Sequence, residues 1–146
     1  MRAVTDQSPI VRDWVANHIP DCSRGWPNGY AIGVVNDNNE LVGGSVYHEF
    51  SPESRVIEMS SASITPRWIT RSTLKTLFWY PFDYLKCRLV IMRVHPDNHA
   101  MRSIAKRLGS KEYIIEDIRA DGVPDVVYTL SAKAWQDFIS KPVAAR

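Results

Sequence analysis

Ile64-Thr65-Pro66-Arg67-Trp68-Ile69-Thr70-Arg71-Ser72 follows a β-patterned run, Val56 to Ser63, and opens an apolar-periodic segment from Trp68 to Tyr80. A strand that ends in a Pro-Arg turn and feeds a helix aims several unpaired main-chain N–H groups at one spot. The positive end of the helix dipole adds its field there. Such a spot suits a pyrophosphate. Arg67, Arg71 and Lys75 recur every four residues and so share one helix face beside it. The same three residues read equally well as a solvated basic stripe.

Upstream of that stretch, Tyr30–Val35 and Leu41–Phe50 are β-rich, and Asn36-Asp37-Asn38-Asn39-Glu40 between them is turn chemistry, which predicts a hairpin. Arg55–Ile64 predicts the next strand. Met1–Thr5 predicts a short first strand. Ser8 is the expected N-cap of a helix with Pro9 at N1 and with Ile10, Trp14, Val15 and Ile19 on one face. Asp21–Gly29 reads as a loop. Downstream, Pro81 predicts an end or a kink in the long helix. Arg88–Val94 has few polar breaks, as a central strand buried on both faces would. Asn98–Leu108 is an amphipathic helix closed by Gly109, and Glu112–Arg119 and Asp125–Leu130 form a last hairpin about Ala120-Asp121-Gly122. The tail from Ala132 is a short helix or coil with a frayed end. The order β-α-β-β-β-α-β-α-β-β predicts one α+β domain over residues 1–146, with a mixed sheet and helices on both faces.

The 146 residues suit a single core, and 45% apolar with 23% charged residues is the balance of a globular protein. A net charge of +2 excludes bulk attraction to nucleic acid but leaves a local patch open. Cys22 and Cys87 lie far apart with no C-x-x-C spacing, so a reducing compartment and no zinc are expected. No segment reads as a signal peptide or a membrane span, and a cytoplasmic location is the expectation.

The element order and two motifs resemble the GNAT superfamily of acyl-CoA-dependent N-acetyltransferases, over about Ala31 to Leu130. The family signature at the turn into its central helix is Gln/Arg-x-x-Gly-x-Gly/Ala, aligned here with Arg67-Trp68-Ile69-Thr70-Arg71-Ser72. Thr70 and Ser72 depart from it, where glycine would allow the closest main-chain approach to phosphate. The second motif is an Asn on the turn after the fifth strand and a helix-ending Gly eleven residues later, matched by Asn98 and Gly109. The closing Ile114–Leu130 hairpin is similar to the family ending. The run Pro66–Phe82 further resembles small phage and prophage members.

The resemblance implies acetyl-CoA as cofactor, held by the signature six together with Ser63, Ile64, Asn98 and Arg102. It implies a gap between strands four and five where a free N–H near Ser60 to Ser63 holds the thioester carbonyl. Glu58 is the first candidate base, or else faces solvent from the alternating strand face. His48 is a second, since imidazole titrates near neutrality, although a strand histidine is more often structural. The family's thiol acid, a Tyr seven residues after the Asn, is Ala105 here, so Tyr128 and Ser103 become the candidate proton donors. The Phe that usually follows the helix-ending Gly is Ser110. The expected acceptor is a primary amine of a small molecule or protein, bound by Asp13–Gly29. Two alternatives stand beside transfer to an amine. One is an enzyme of the same fold that modifies nucleic-acid bases, using the basic face and the Phe78–Tyr84 aromatics. The other is a binding module that has lost catalysis. The chain is a monomer, or a dimer covering Trp26, Trp135 and Phe138.

Overall fold

Asn36 organises the hairpin. Its side-chain Oδ1 accepts from the N–H groups of Asn38 and Glu40, both at 3.0 Å, while Asn39 takes the left-handed conformation (φ 60°). The strands it joins, β2 (Tyr30–Val35) and β3 (Leu41–Ser51), sit in a sheet with β1 (Arg2–Val4), β4 (Val56–Ser63), β5 (Leu89–Val94), β6 (Lys111–Ala120) and β7 (Val123–Ser131). The seven strands run in the order β1-β2-β3-β4-β5-β7-β6, antiparallel except where β4 meets β5. The computed structural model describes residues 1–20, 22 and 24–142. Asp21 and Ser23 of the expected loop, and the last four residues of the expected frayed tail, lie outside these.

Side-chain alternation divides the sheet into two faces. On one, α1 (Ser8–His18) buries Val11 and Val15 against Ala31 and Val46. On the other, α2 (Arg71–Phe78), α3 (His99–Arg107) and α4 (Ala132–Ser140) cover the larger core, in which Leu77, Phe78, Leu108 and Trp135 meet Ile57, Met59, Val90 and Tyr128. This is the mixed α+β architecture expected, with the tail forming a full helix.

Five expectations are corrected. Ser8 is the first helical residue rather than the cap; its Oγ instead accepts from Ala31 N–H, tying α1 to β2. The long helix is split: Pro66–Trp68 forms a 3₁₀ turn, α2 starts only at Arg71, and Arg67 therefore stands off the α-helical face. The α-helix ends at Phe78, ahead of Pro81 rather than at the proline itself. Pro81 lies inside a π-helical segment, Trp79–Tyr84, in which Leu85 N–H reaches Tyr80 O. Proline has no N–H to offer the carbonyl of Leu77 four residues back, and Tyr47 Oη donates to that carbonyl instead. Finally, β5 is buried on one face only, because Ile91 and Arg93 look into an open groove. Trp135 is also buried, packed on Phe78 with ring centroids 4.8 Å apart, so it covers no dimer surface.

Candidate active site

β4 and β5 pair only from Val56 with Leu89 to Met59 with Met92, while β4 runs on to Ser63. Beyond Met59 the strands part. Ile64 N–H still donates to Val42 O on β3, so period-two alternation turns the main-chain groups of Ser61 and Ser63 toward the gap. The gap belongs to a cavity of about 770 Å³ that reaches from Trp26 and His48, past Glu58 and the Ser60–Thr65 edge, to Asn98 on α3. Trp68 borders this cavity without filling it, because its indole is seated over Gly43. A Cβ at residue 43 would lie 2.5 Å from the ring.

At one end, His48 and Glu58 are directly opposed on β3 and β4. A bulge after His48, with Glu49 at φ 56°, ends the regular pairing just beyond them. His48 Nε2 is 2.8 Å from Ser60 Oγ, and its ring stacks on Trp26 at a centroid distance of 5.1 Å. Its Nδ1 is buried with no hydrogen-bond partner, 3.9 Å from Glu49 Oε1. Burial pulls the imidazole pKa down, only partly offset by the charge of Glu49. Burial pushes the Glu58 carboxyl up, as does Glu49, while Arg93 pulls it down. Glu58 carries no hydrogen bond among the described residues, so both its oxygens can accept a proton from the cavity.

Past Thr65 and Trp68 at the cavity's edge the chain enters α2, whose start lies outside the cavity lining and is closed by a capping box. Thr73 N–H donates to Thr70 Oγ1 (3.1 Å), and Thr70 N–H donates to Thr73 Oγ1 (2.8 Å). Arg71 and Ser72, at N1 and N2, keep N–H groups without intrahelical partners, and the Arg67 side chain beside them is exposed. Ile69 is half-buried and packs on the core, while the Ile64 side chain is exposed. Asn98 caps α3 through Met101 N–H (3.2 Å), which leaves its amide NH₂ for the groove. These groups fit a diphosphate followed by an amide-bearing arm: free main-chain donors at one helix start, a free strand edge, and a side-chain amide beyond.

Four expected site residues lie elsewhere. Arg71 turns its guanidinium away to the carbonyls of Ile139 and Lys141, fastening the end of α4 to α2. Arg102 donates to Pro96 O (2.9 Å) and Tyr128 Oη (3.2 Å) and pairs with Glu112 (3.5 Å). Tyr128 is fully buried and donates to Glu112 at 2.6 Å; burial first, then that bond, pushes its phenol pKa up. Ser103 faces solvent on α3. Neither Tyr128 nor Ser103 borders the cavity, because one is held on the opposite sheet face and the other on the outer face of its helix.

Three residues lining the cavity, Arg93, His95 and Arg119, and Asp125 behind them escaped the sequence reading. Asp125 on β7 is 0% exposed and receives Arg93 Nε at 2.8 Å on Oδ2, while Arg119 Nε lies 3.1 Å from Oδ1. Both arginines line the cavity, on the sheet face that carries Glu58. His95, on the turn before α3, also borders it. Its Nδ1 accepts from Asp97 N–H (3.1 Å), so the neutral ring carries its proton on Nε2.

This splayed mixed sheet is the fold of the GNAT acetyltransferases. A GCN5-related N-acetyltransferase from Brucella melitensis superposes with a TM-score of 0.62 at 17% identity, covering 87% of this chain and 59% of that one. Mutant forms of the spermidine/spermine N-acetyltransferase of Vibrio cholerae give 0.63 at 14% identity, covering 86% and 76%. The chain spans 62% and 64% of the length of two further structural relatives. No family model and no curated protein matches the sequence. Among the described residues no helix is long and apolar enough to cross a membrane, and no cluster of side chains is placed to hold a metal ion.

Proposed function

We propose that this chain is an acetyl-CoA-dependent N-acyltransferase acting on a primary amine. The observation that carries the reading is the parting of β4 from β5 after Met59, which makes one continuous groove from Glu58 to Asn98. When bound, acetyl-CoA would supply a thioester acyl group and a thiol leaving group. The Arg71 and Ser72 N–H groups and the Arg67 guanidinium would hold its diphosphate, and Asn98 its amide arm. Ser61 and Ser63 present main-chain donors to the thioester carbonyl, fixed in place before any charge develops on it.

The residues at the other end divide the proton chemistry. Glu58 takes the proton of the incoming amine, directly or through one water, because its carboxylate has no competing donor. His48 is held by Ser60 and Trp26 and stays neutral through burial, so it positions the wall of the pocket and adds no cation that would repel an ammonium. With Tyr128 bound to Glu112 and Ser103 in solvent, the departing thiolate takes its proton from solvent water, and the neutral His95 offers only a hydrogen bond from Nε2–H.

Calorimetry with acetyl-CoA and with CoA tests the reading. Binding of both, weakened by roughly 1–3 kcal/mol in Arg67→Ala as for a lost charge-assisted hydrogen bond, is the expected result. Absence of any heat of binding in the intact protein sinks it.

A further inference from the structure

The Arg93–Asp125–Arg119 cluster has more positive charge than its own carboxylate needs. A buried aspartate requires one opposite charge, and unpaired burial would cost several kcal/mol. Asp125 is given two, one on each oxygen, and a third contact from its neighbour Val126 N–H at 3.1 Å. Within the cluster one positive charge is left over, and Arg93 also acts on the carboxylate of Glu58 on the same face, whose pKa it pulls down. Arg93 spends Nε on a hydrogen bond to Asp125, Arg119 stands in ion-pair contact with the other oxygen, and the outer nitrogens of Arg93 have no protein partner among the described residues. The Arg93 side chain remains 45% exposed, and the opening it faces is the cavity. A guanidinium so anchored offers its free edge as a rigid two-donor fork, which matches a carboxylate.

The fork stands at a defined place relative to the proposed base. Glu58 pairs with Ile91, and Arg93 is two residues further along β5, about 6.6 Å on the same face. We infer that Arg93, with Arg119 and held in orientation by Asp125, forms a carboxylate subsite, so that the acceptor is an amine bearing an acid group a few bonds away. The inference rests on the acyltransferase reading and narrows its substrate. A free amino acid and a peptide with an acidic residue next to its N-terminus present the same pair of groups. A polyamine presents only the first.

The test compares acids with their neutral amides. Free amino acids are measured against amino-acid amides, and Ala-Glu peptides against Ala-Gln peptides, by CoA-thiol release and by calorimetry with the intact protein. Amidation lowers the pKa of the amine and so favours the amide chemically, which sets the bias against the inference. The expected result is a KM and Kd at least about tenfold lower for the acid of one pair, the size of one charge-assisted hydrogen bond. Arg93→Gln should abolish that gap while leaving the amide's KM and the affinity for acetyl-CoA as they were; Arg93→Lys, a point charge without the fork, should restore only part of it. Whichever pair shows the gap identifies the source of the carboxylate. Equal KM for acid and amide in both pairs overturns the inference, as does an Arg93→Gln change in KM or Kd that falls on acid and amide alike. Loss of acid binding at saturating CoA also overturns it, because the cluster would then be holding the cofactor's own phosphate. A protein that binds no acetyl-CoA fails the acyltransferase reading instead, and the calorimetric acid–amide comparison then judges the subsite alone.

Discussion

Glu58 and His48 stand opposite each other across β3 and β4, and their burial moves their pKa values toward one another, the carboxyl up from 4.5 and the imidazole down from 6.5. Glu58 must be ionised to act as a base. The acid limb of kcat/KM should therefore lie above the ordinary carboxyl value of 4.5, and a limb at or below that value would assign the role elsewhere. Glu58→Gln should lower kcat by about 10²-fold or more, the usual contribution of a positioned base. The same substitution should leave the melting temperature at neutral pH unchanged or raised. A carboxyl whose folded pKa is raised binds more protons folded than unfolded, and so weakens the fold above its unfolded pKa. His48 has the opposite sign. With its folded pKa lowered, its neutral burial favours the fold above 6.5 and loses that contribution as pH falls through the folded value. Both residues were legible in the sequence as candidates, because a Glu and a His in β-patterned runs are conspicuous. Their pairing was not, since it depends on the register between two strands and on the bulge at Glu49. Arg102 and Tyr128 failed for a related reason. Sequence position placed them beside the expected cofactor path, but the hydroxyl and guanidinium found Glu112, twenty residues or fewer away in sequence and in direct contact in space.

Element boundaries were readable wherever local chemistry decides them: the Asn36 turn, the Asn98 cap, and Gly109 at φ 95° after α3. They failed where a partner from elsewhere in the chain intervenes. Ser8 gave its hydroxyl to β2, and Pro81 was tolerated because Tyr47, on β3, satisfies the carbonyl that proline leaves without a donor. Tyr47→Phe removes that donor and leaves a buried carbonyl unpaired, so it should cost about 1–3 kcal/mol. In urea unfolding the midpoint should fall with the slope unchanged. A variant as stable as the parent would mean that the π-helical segment needs no support from β3. The start of α2 separates two arginines that sequence spacing had grouped. Arg71→Ala should lower thermal stability, because α4 loses its clamp on Ile139 and Lys141, with little change in acetyl-CoA affinity. Arg67→Ala should do the reverse. If Arg71→Ala weakens cofactor binding more than Arg67→Ala does, the side chain must leave α4 on binding.

For the molecule as a whole, element order sufficed to identify the mixed sheet, since a strand–helix–strand unit favours parallel pairing and the hairpins on either side are antiparallel, whereas the gap followed only from the family resemblance. The Arg93–Asp125–Arg119 cluster was illegible because β5 meets the β6–β7 hairpin only in the folded sheet. The same topology makes a mechanical statement. β1 to β4 form one half-sheet and β5 to β7 the other, and strand pairing joins them only between Val56–Met59 and Leu89–Met92. The end beyond Met59 is held by side chains across an open groove. A ligand seated there touches both halves and binds the folded chain alone, so it stabilises by mass action, about 2.7 kcal/mol at a hundredfold excess over Kd. Acetyl-CoA should accordingly raise the melting temperature, and amide hydrogen exchange should slow most at Ser61 and Ser63, whose main-chain groups face the gap, and at Arg71 and Ser72. The outer strands β1 and β6 should change only by the global increment, since they lie at the two edges of the sheet. Uniform slowing across the chain would mean that the halves already behave as one unit, and protection confined to α4 would move the cofactor away from the groove altogether.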